Sequence, residues 1–71
     1  METRKEQIMV GETPLNLSYE QLENHLSVTI NFKKLNSKLY EIHSFKYSNR
    51  LNRMVRKERI NNDLRDVIAR V

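Results

Sequence analysis

The chain reads as a mostly α-helical protein, a small bundle of three to four helices. Three observations predict this class. Ser18 with Gln21 three residues on makes a capping-box pattern, and Leu22 and Leu26 follow at i, i+4. Val28, Phe32, Leu35, Leu39 and Ile42 step by four, three, four and three, the spacing of one helical face. Residues 48–62, "SNRLNRMVRKERINN", divide at helical period into an apolar side of Leu51, Met54 and Val55 and a basic side of Arg53, Arg56 and Lys57.

The elements follow in order. Gly11 and Pro14, the only glycine and the only proline, divide a polar N-terminal arm (residues 1–14) from a single small domain (residues 15–71). The first helix spans about 18–26, with Glu20 in its first turn where the helix dipole favours an acid. The second spans about 29–45. Residues 27–47 also admit an alternative, an α+β fold with a central β-hairpin: Val28, Ile30 and Phe32 alternate cleanly. The second strand of that hairpin alternates badly, since Tyr40 and Ile42 take one face and Phe45 and Tyr47 the other, so it needs a bulge. Five helical matches outweigh three strand matches. The third helix carries the basic stripe Lys46, Arg50, Arg53 and Lys57 and ends before Ile60, which falls on its basic side. Asn61 or Asn62 then caps a last helix whose face is Leu64, Val67, Ile68 and Val71.

Composition narrows the function. There is no cysteine, hence no thiol catalysis, no thiolate metal site and no disulfide. No glycine-rich loop cradles a phosphate, and His25 and His43 lack ligand spacing. An enzyme, a cofactor and a metal are therefore not expected. No apolar run approaches the roughly twenty residues of a membrane span, and the first residues lack an apolar signal core. This reads as a cytoplasmic protein without a membrane partner. The net charge is +4 but unevenly spread. Residues 1–35 carry four basic and five acidic groups, a net −1, and residues 36–71 carry nine and four, a net +5. That asymmetry points to a polyanion.

The stretch 17–42 resembles a helix-turn-helix. Its matching residues are Leu22, Leu26, Ser27, Val28 and Thr29, followed by "INFKKLNSKLYEI". The resemblance implies a DNA-binding regulator of transcription, with groove contacts from Asn31, Lys33, Lys34 and Lys38, and Ser37 beside them. It departs from the family at Glu23, where a small residue is usual, and at Ser27, which replaces the turn glycine.

Together these features predict a small nucleic-acid-binding protein, with duplex DNA favoured over RNA. Lys46, Arg50, Arg53, Arg56 and Lys57 would follow the phosphates. The face of Leu64, Val67, Ile68 and Val71 would serve as the seam of a homodimer. The alternative is a protein-binding module that inhibits or adapts a larger partner, its charge steering it toward an acidic surface. Tyr40, Phe45 and Tyr47 would favour single-stranded RNA if they stack on bases.

Overall fold

A computed structural model describes residues 2–34 and 38–71. The chain forms four antiparallel strands and one helix: β1 (Glu2–Val10), β2 (Thr13–Gln21), β3 (His25–Lys33), β4 (Tyr40–Ser48) and α1 (Arg53–Ile68). The strands lie side by side in chain order, a meander. A helical bundle is therefore not what these residues build. Residues 18–26 and 29–45, expected as helices, belong largely to β2, β3 and β4, and no helix-turn-helix pair exists among the described residues. The central hairpin of the alternative corresponds to β3 and β4, to which β1 and β2 add a second pair. Leu35 and Ser37 lie outside the described residues.

The physical reason is period. Leu15, Leu17 and Tyr19, then Leu26, Val28, Ile30 and Phe32, each alternate with polar residues, which a pleated sheet sends to opposite faces. The pairings Leu17↔Ile30, Tyr19↔Val28 and Val28↔Phe45 put the apolar set on one face. A helix through residues 28–42 would leave Ile30 off that face, whereas Ile30 is only 1% exposed. The dense β-branched and aromatic residues here also favour strand. β4 contains no bulge, because its pairing with β3 runs without interruption from Lys33↔Tyr40 to His25↔Ser48. Its awkward pattern has another cause. β4 is an edge strand that leaves Tyr40 and Ile42 facing solvent while Phe45 and Tyr47 face the core.

Residues 2–10, most of the segment read as a polar arm, form β1. A two-residue turn, Gly11-Glu12, joins it to β2, and Gly11 adopts φ +63°. That left-handed conformation suits glycine at the first centre of a hairpin turn. A methyl group there would meet nothing within 4 Å, so Gly11→Ala should lose only the conformational term. The expected loss is about 1–2 kcal/mol in a denaturant titration.

α1 covers one face of the sheet. Asn52 caps it, its side chain accepting from the Met54 N–H at 2.8 Å. The helix does not end before Ile60 but runs unbroken to Ile68. Ile60, Leu64, Val67 and Ile68 recur at i, i+4, i+7 and i+8, and they set its inner side. Of the supposed apolar side, Met54 and Val55 turn outward, 79% and 40% exposed, while Leu51, just before the helix, packs against the core. The Leu64, Val67, Ile68 and Val71 face, read as a dimer seam, packs instead on the sheet. The core comprises Leu15, Leu17, Val28, Ile30, Phe32, Tyr47 and Val67.

Three polar contacts fix where the helix lies. Asn49 donates to the Glu23 carbonyl at 2.9 Å and accepts from Gln21 Nε2 at 2.9 Å, pinning the β4–α1 connection to the β2–β3 turn. Tyr47 donates its hydroxyl to Asp63 at 2.5 Å, tying β4 to α1. Burial, and then the Asp63 carboxylate, push the Tyr47 hydroxyl far above the ordinary tyrosine range. A raised folded-state value means that the stabilisation is complete below the ordinary value of about 10 and is lost as pH rises through and beyond it. Stability should therefore fall in strong alkali. Tyr47→Phe should flatten that fall and cost about 1–2 kcal/mol at neutral pH, both read from urea unfolding.

Candidate nucleic-acid interface

The inner side of α1 changes character along its length. Its C-terminal half presents Leu64, Val67 and Ile68 to the sheet. Its N-terminal half presents Arg53, Arg56 and Lys57 to a groove of about 430 Å³ between helix and sheet. The sheet wall of that groove consists of Arg4 from β1, Tyr19 from β2 and Leu26 from β3, and Ile60 and Asn61 close the helix side. Four basic side chains from two elements thus meet, and no acid lines the groove.

Local folding explains the convergence. Antiparallel register sets Arg4 opposite Tyr19, so both leave the sheet on the helix-covered face. The Arg4 guanidinium lies over the Tyr19 ring, 4.6 Å from its centre, a cation–π contact that holds the arginine toward the groove. Burial and the Glu6 carboxylate push the Tyr19 hydroxyl above its ordinary value, and Arg4 partly opposes them. The Asn49 pin places the first turn of α1 over this end of the sheet. Arg53 and Lys57 are exposed and Arg56 is half-buried, so all three keep access to solvent. Such a groove can hold successive phosphates, since charges on low-dielectric walls focus the field between them.

The nine residues singled out as contacts do not form one surface. Arg53, Arg56 and Lys57 gather in the groove. Asn31, Lys33 and Lys46 stand on the opposite, uncovered face of the sheet. Asn31 there accepts from Asn16 at 3.4 Å, and Asn16 accepts from Gln7 at 3.0 Å, an amide ladder across three strands. The Lys33 ammonium sits 5.8 Å from the centre of the Tyr40 ring. Lys34 and Lys38 lie in the β3–β4 connection, Lys34 pairing with Glu41 at 3.6 Å. Arg50 is exposed in the β4–α1 connection and does not line the groove. No straight stripe from Lys46 to Lys57 exists, because Lys46 belongs to a strand and Lys57 to the helix.

Arg4 and Tyr19 went unrecognised as site residues. Their signal is the alternation of "TPLNLSYE", which makes β2 a strand and lets β1 pair beside it. Of the three aromatics before the helix, Tyr47 is buried and Phe45 packs against the core, which leaves Tyr40 as the exposed ring. Among the described residues no group of three or more histidines and acids is placed to hold a metal ion. None of their helices is long and apolar enough to cross a membrane. Comparison with protein-family models, curated proteins and solved structures returns no match, so the reading of this groove rests on its own geometry.

Proposed function

We propose that this chain is a small nucleic-acid-binding protein that holds the phosphate backbone in the groove between α1 and the β1–β2 edge. The observation that carries the reading is the meeting of Arg4, Arg53, Arg56 and Lys57 on one wall-to-wall cleft without an acid. Glu6 reaches the Tyr19 hydroxyl beside the groove, but four cations outnumber it, whereas a purely solvating face would mix signs. A bound phosphate chain compensates the cations' mutual repulsion and releases counterions. Arg53, Arg56 and Lys57 border the sheet side of α1, so the contact we propose is the cleft and not α1 laid as a reading helix in a major groove. Binding is therefore to the backbone and independent of sequence, and any regulatory role rests on occupancy rather than on base readout.

The test is a titration of labelled random duplex DNA at several salt concentrations, with single-stranded DNA and RNA as competitors. Four phosphate contacts predict a slope of about −3.6 in the logarithm of affinity against that of salt for a duplex, and about −2.8 for a single strand. Absence of binding at low salt would end the reading. Stronger competition by a single strand would keep the groove and change the partner.

A second reading, a protein-binding adaptor, is favoured by one observation. Met54 and Val55 stand exposed together on the outer side of α1. A stoichiometric protein partner that survives nuclease treatment and is lost on Met54→Lys would support it.

A further inference from the structure

The two edges of the sheet differ. β1 carries Glu2, Arg4, Lys5 and Glu6 in its first five residues, the charged guard that natural edge strands use against unwanted pairing. β4 is just as long, at nine residues, but has only Glu41 and Lys46 as charged groups. It turns Tyr40 and Ile42 to solvent, each 67% exposed, with Leu39 77% exposed just before it. Among the described residues nothing pairs with its outer edge. A long edge strand with few charges and exposed apolar side chains at one end is a template for another strand.

The chain also leaves more surface open than a compact monomer of its size. The chain exposes 5647 Å². A compact monomer of its 8.6 kDa exposes roughly 4,700 Å². The excess, roughly 900 Å², belongs to a sheet covered on one face only, and it leaves room for the 800 Å² or so that each partner contributes to a standard interface. The radius of gyration agrees, at 12.9 Å against roughly 11 Å for a compact chain of this length.

We infer that β4 pairs antiparallel with β4 of a second copy, joining two sheets into one of eight strands around a twofold axis at Ser44. Of the strands this edge could accept, its own copy fits best, because an antiparallel pair of identical strands is self-complementary and closes. Pairing β4 to β1 of another copy would not close and would meet the charged guard. The register about Ser44 uses all nine residues of each strand. It sets Tyr40 opposite Ser48, Glu41 opposite Tyr47, Ile42 opposite Lys46 and His43 opposite Phe45, so no like charges face each other. The aliphatic stem of Lys46 then covers the partner's Ile42. Both helices fall on the same side of the joined sheet, and both basic grooves stay open at its far ends. The inference depends on the fold alone and not on what the grooves bind.

The experiment measures mass by light scattering and sedimentation across a wide range of protein concentration. A dimer is expected. Ile42→Lys with Ser44→Lys should raise its dissociation constant by about 10²-fold while leaving circular dichroism unchanged, since both positions are exposed in the single chain and lie opposite the uncharged Asn31 and Thr29 of β3. The register has its own readout. The chain has no cysteine, so Ser44→Cys introduces a lone thiol. Two copies at the axis sit about 4.5–5.5 Å apart between Cα atoms, within reach of a disulfide. Mild oxidation should trap Ser44→Cys rapidly as a covalent dimer and leave Ser18→Cys, an interior position on the same face, monomeric. A monomer at every concentration would overturn the proposal. So would a dimer that tolerates both lysines and is not trapped by the thiol at position 44.

Discussion

Arg53→Glu with Lys57→Glu should abolish most of the binding to nucleic acid without weakening the fold. Of the four cations in the groove, the pair removes two and places two acids beside the remaining Arg4 and Arg56. Affinity for a duplex should fall by at least about 10²-fold at low salt, and the residual salt slope should shrink by about two. The fold should survive for a specific reason. Both side chains are exposed, and Arg53 opens a helix whose first turn contains no acid. A glutamate there meets the positive end of the helix dipole, worth about 0.3–1 kcal/mol in favour of the variant. The decisive control changes charge equally on the other layer, by Lys33→Glu with Lys46→Glu. Equal losses from both pairs in a fluorescence titration would mean that net charge, not the groove, does the binding.

Phe32→Ala should have the largest effect on stability. Phe32 is 1% exposed at the end of β3, and its ring stacks on His43 with centres 6.0 Å apart and planes 7° from parallel. Removing a buried phenylalanine side chain costs about 3–5 kcal/mol through lost transfer energy and the cavity left behind. A domain of this length has roughly 4–10 kcal/mol in total, so much of the population should unfold at 25 °C. The thermal midpoint should drop by more than about 15 °C. Ile42→Ala, measured at a dilution where the chain is a single copy, should change stability by less than about 0.5 kcal/mol. The contrast is sharp because a helix through residues 28–42 would bury both side chains on one face. Comparable losses from the two variants in calorimetry would contradict the strand assignment.

That pair of residues also shows how the sequence was legible and where it was not. Val28 and Phe32 are four apart, a spacing that serves a helix and a strand equally, since four is an even number and also nearly one helical turn. Ile30 breaks the tie, and its weight was outvoted by Leu35, Leu39 and Ile42. Leu39 and Ile42 belong to a connection and to the open face of an edge strand, where an apolar residue carries no information about the core. β1 was illegible for another reason: an edge strand with alternating charges lacks an apolar stripe, and only its pairing with β2 identifies it. The helix at the end of the chain was visible, from its capping asparagines and the Leu64–Val71 face, but its rotation was not. Met54 and Val55 suggested one inner side and Ile60, Leu64 and Val67 another, and the latter won because they continue for two more turns. Arg53, Arg56 and Lys57 stood out from the sequence as a one-signed cluster. That they share a cleft with Arg4 could not be read without the sheet.

The strict chain order of the strands, with the helix last, has a consequence for how the molecule comes into being. Every strand contact joins neighbours in sequence, so loop closure is cheap and the hairpins can form within microseconds. On a ribosome adding about 5–20 residues per second, the twenty residues from Asn49 to Ile68 take about 1–4 s to follow the last strand. Until α1 docks, the face that carries Leu17, Val28, Ile30 and Phe32 has no cover. A chain whose strands have paired is thus most exposed to chaperones, and to sticking to its own kind, in the interval before its helix docks.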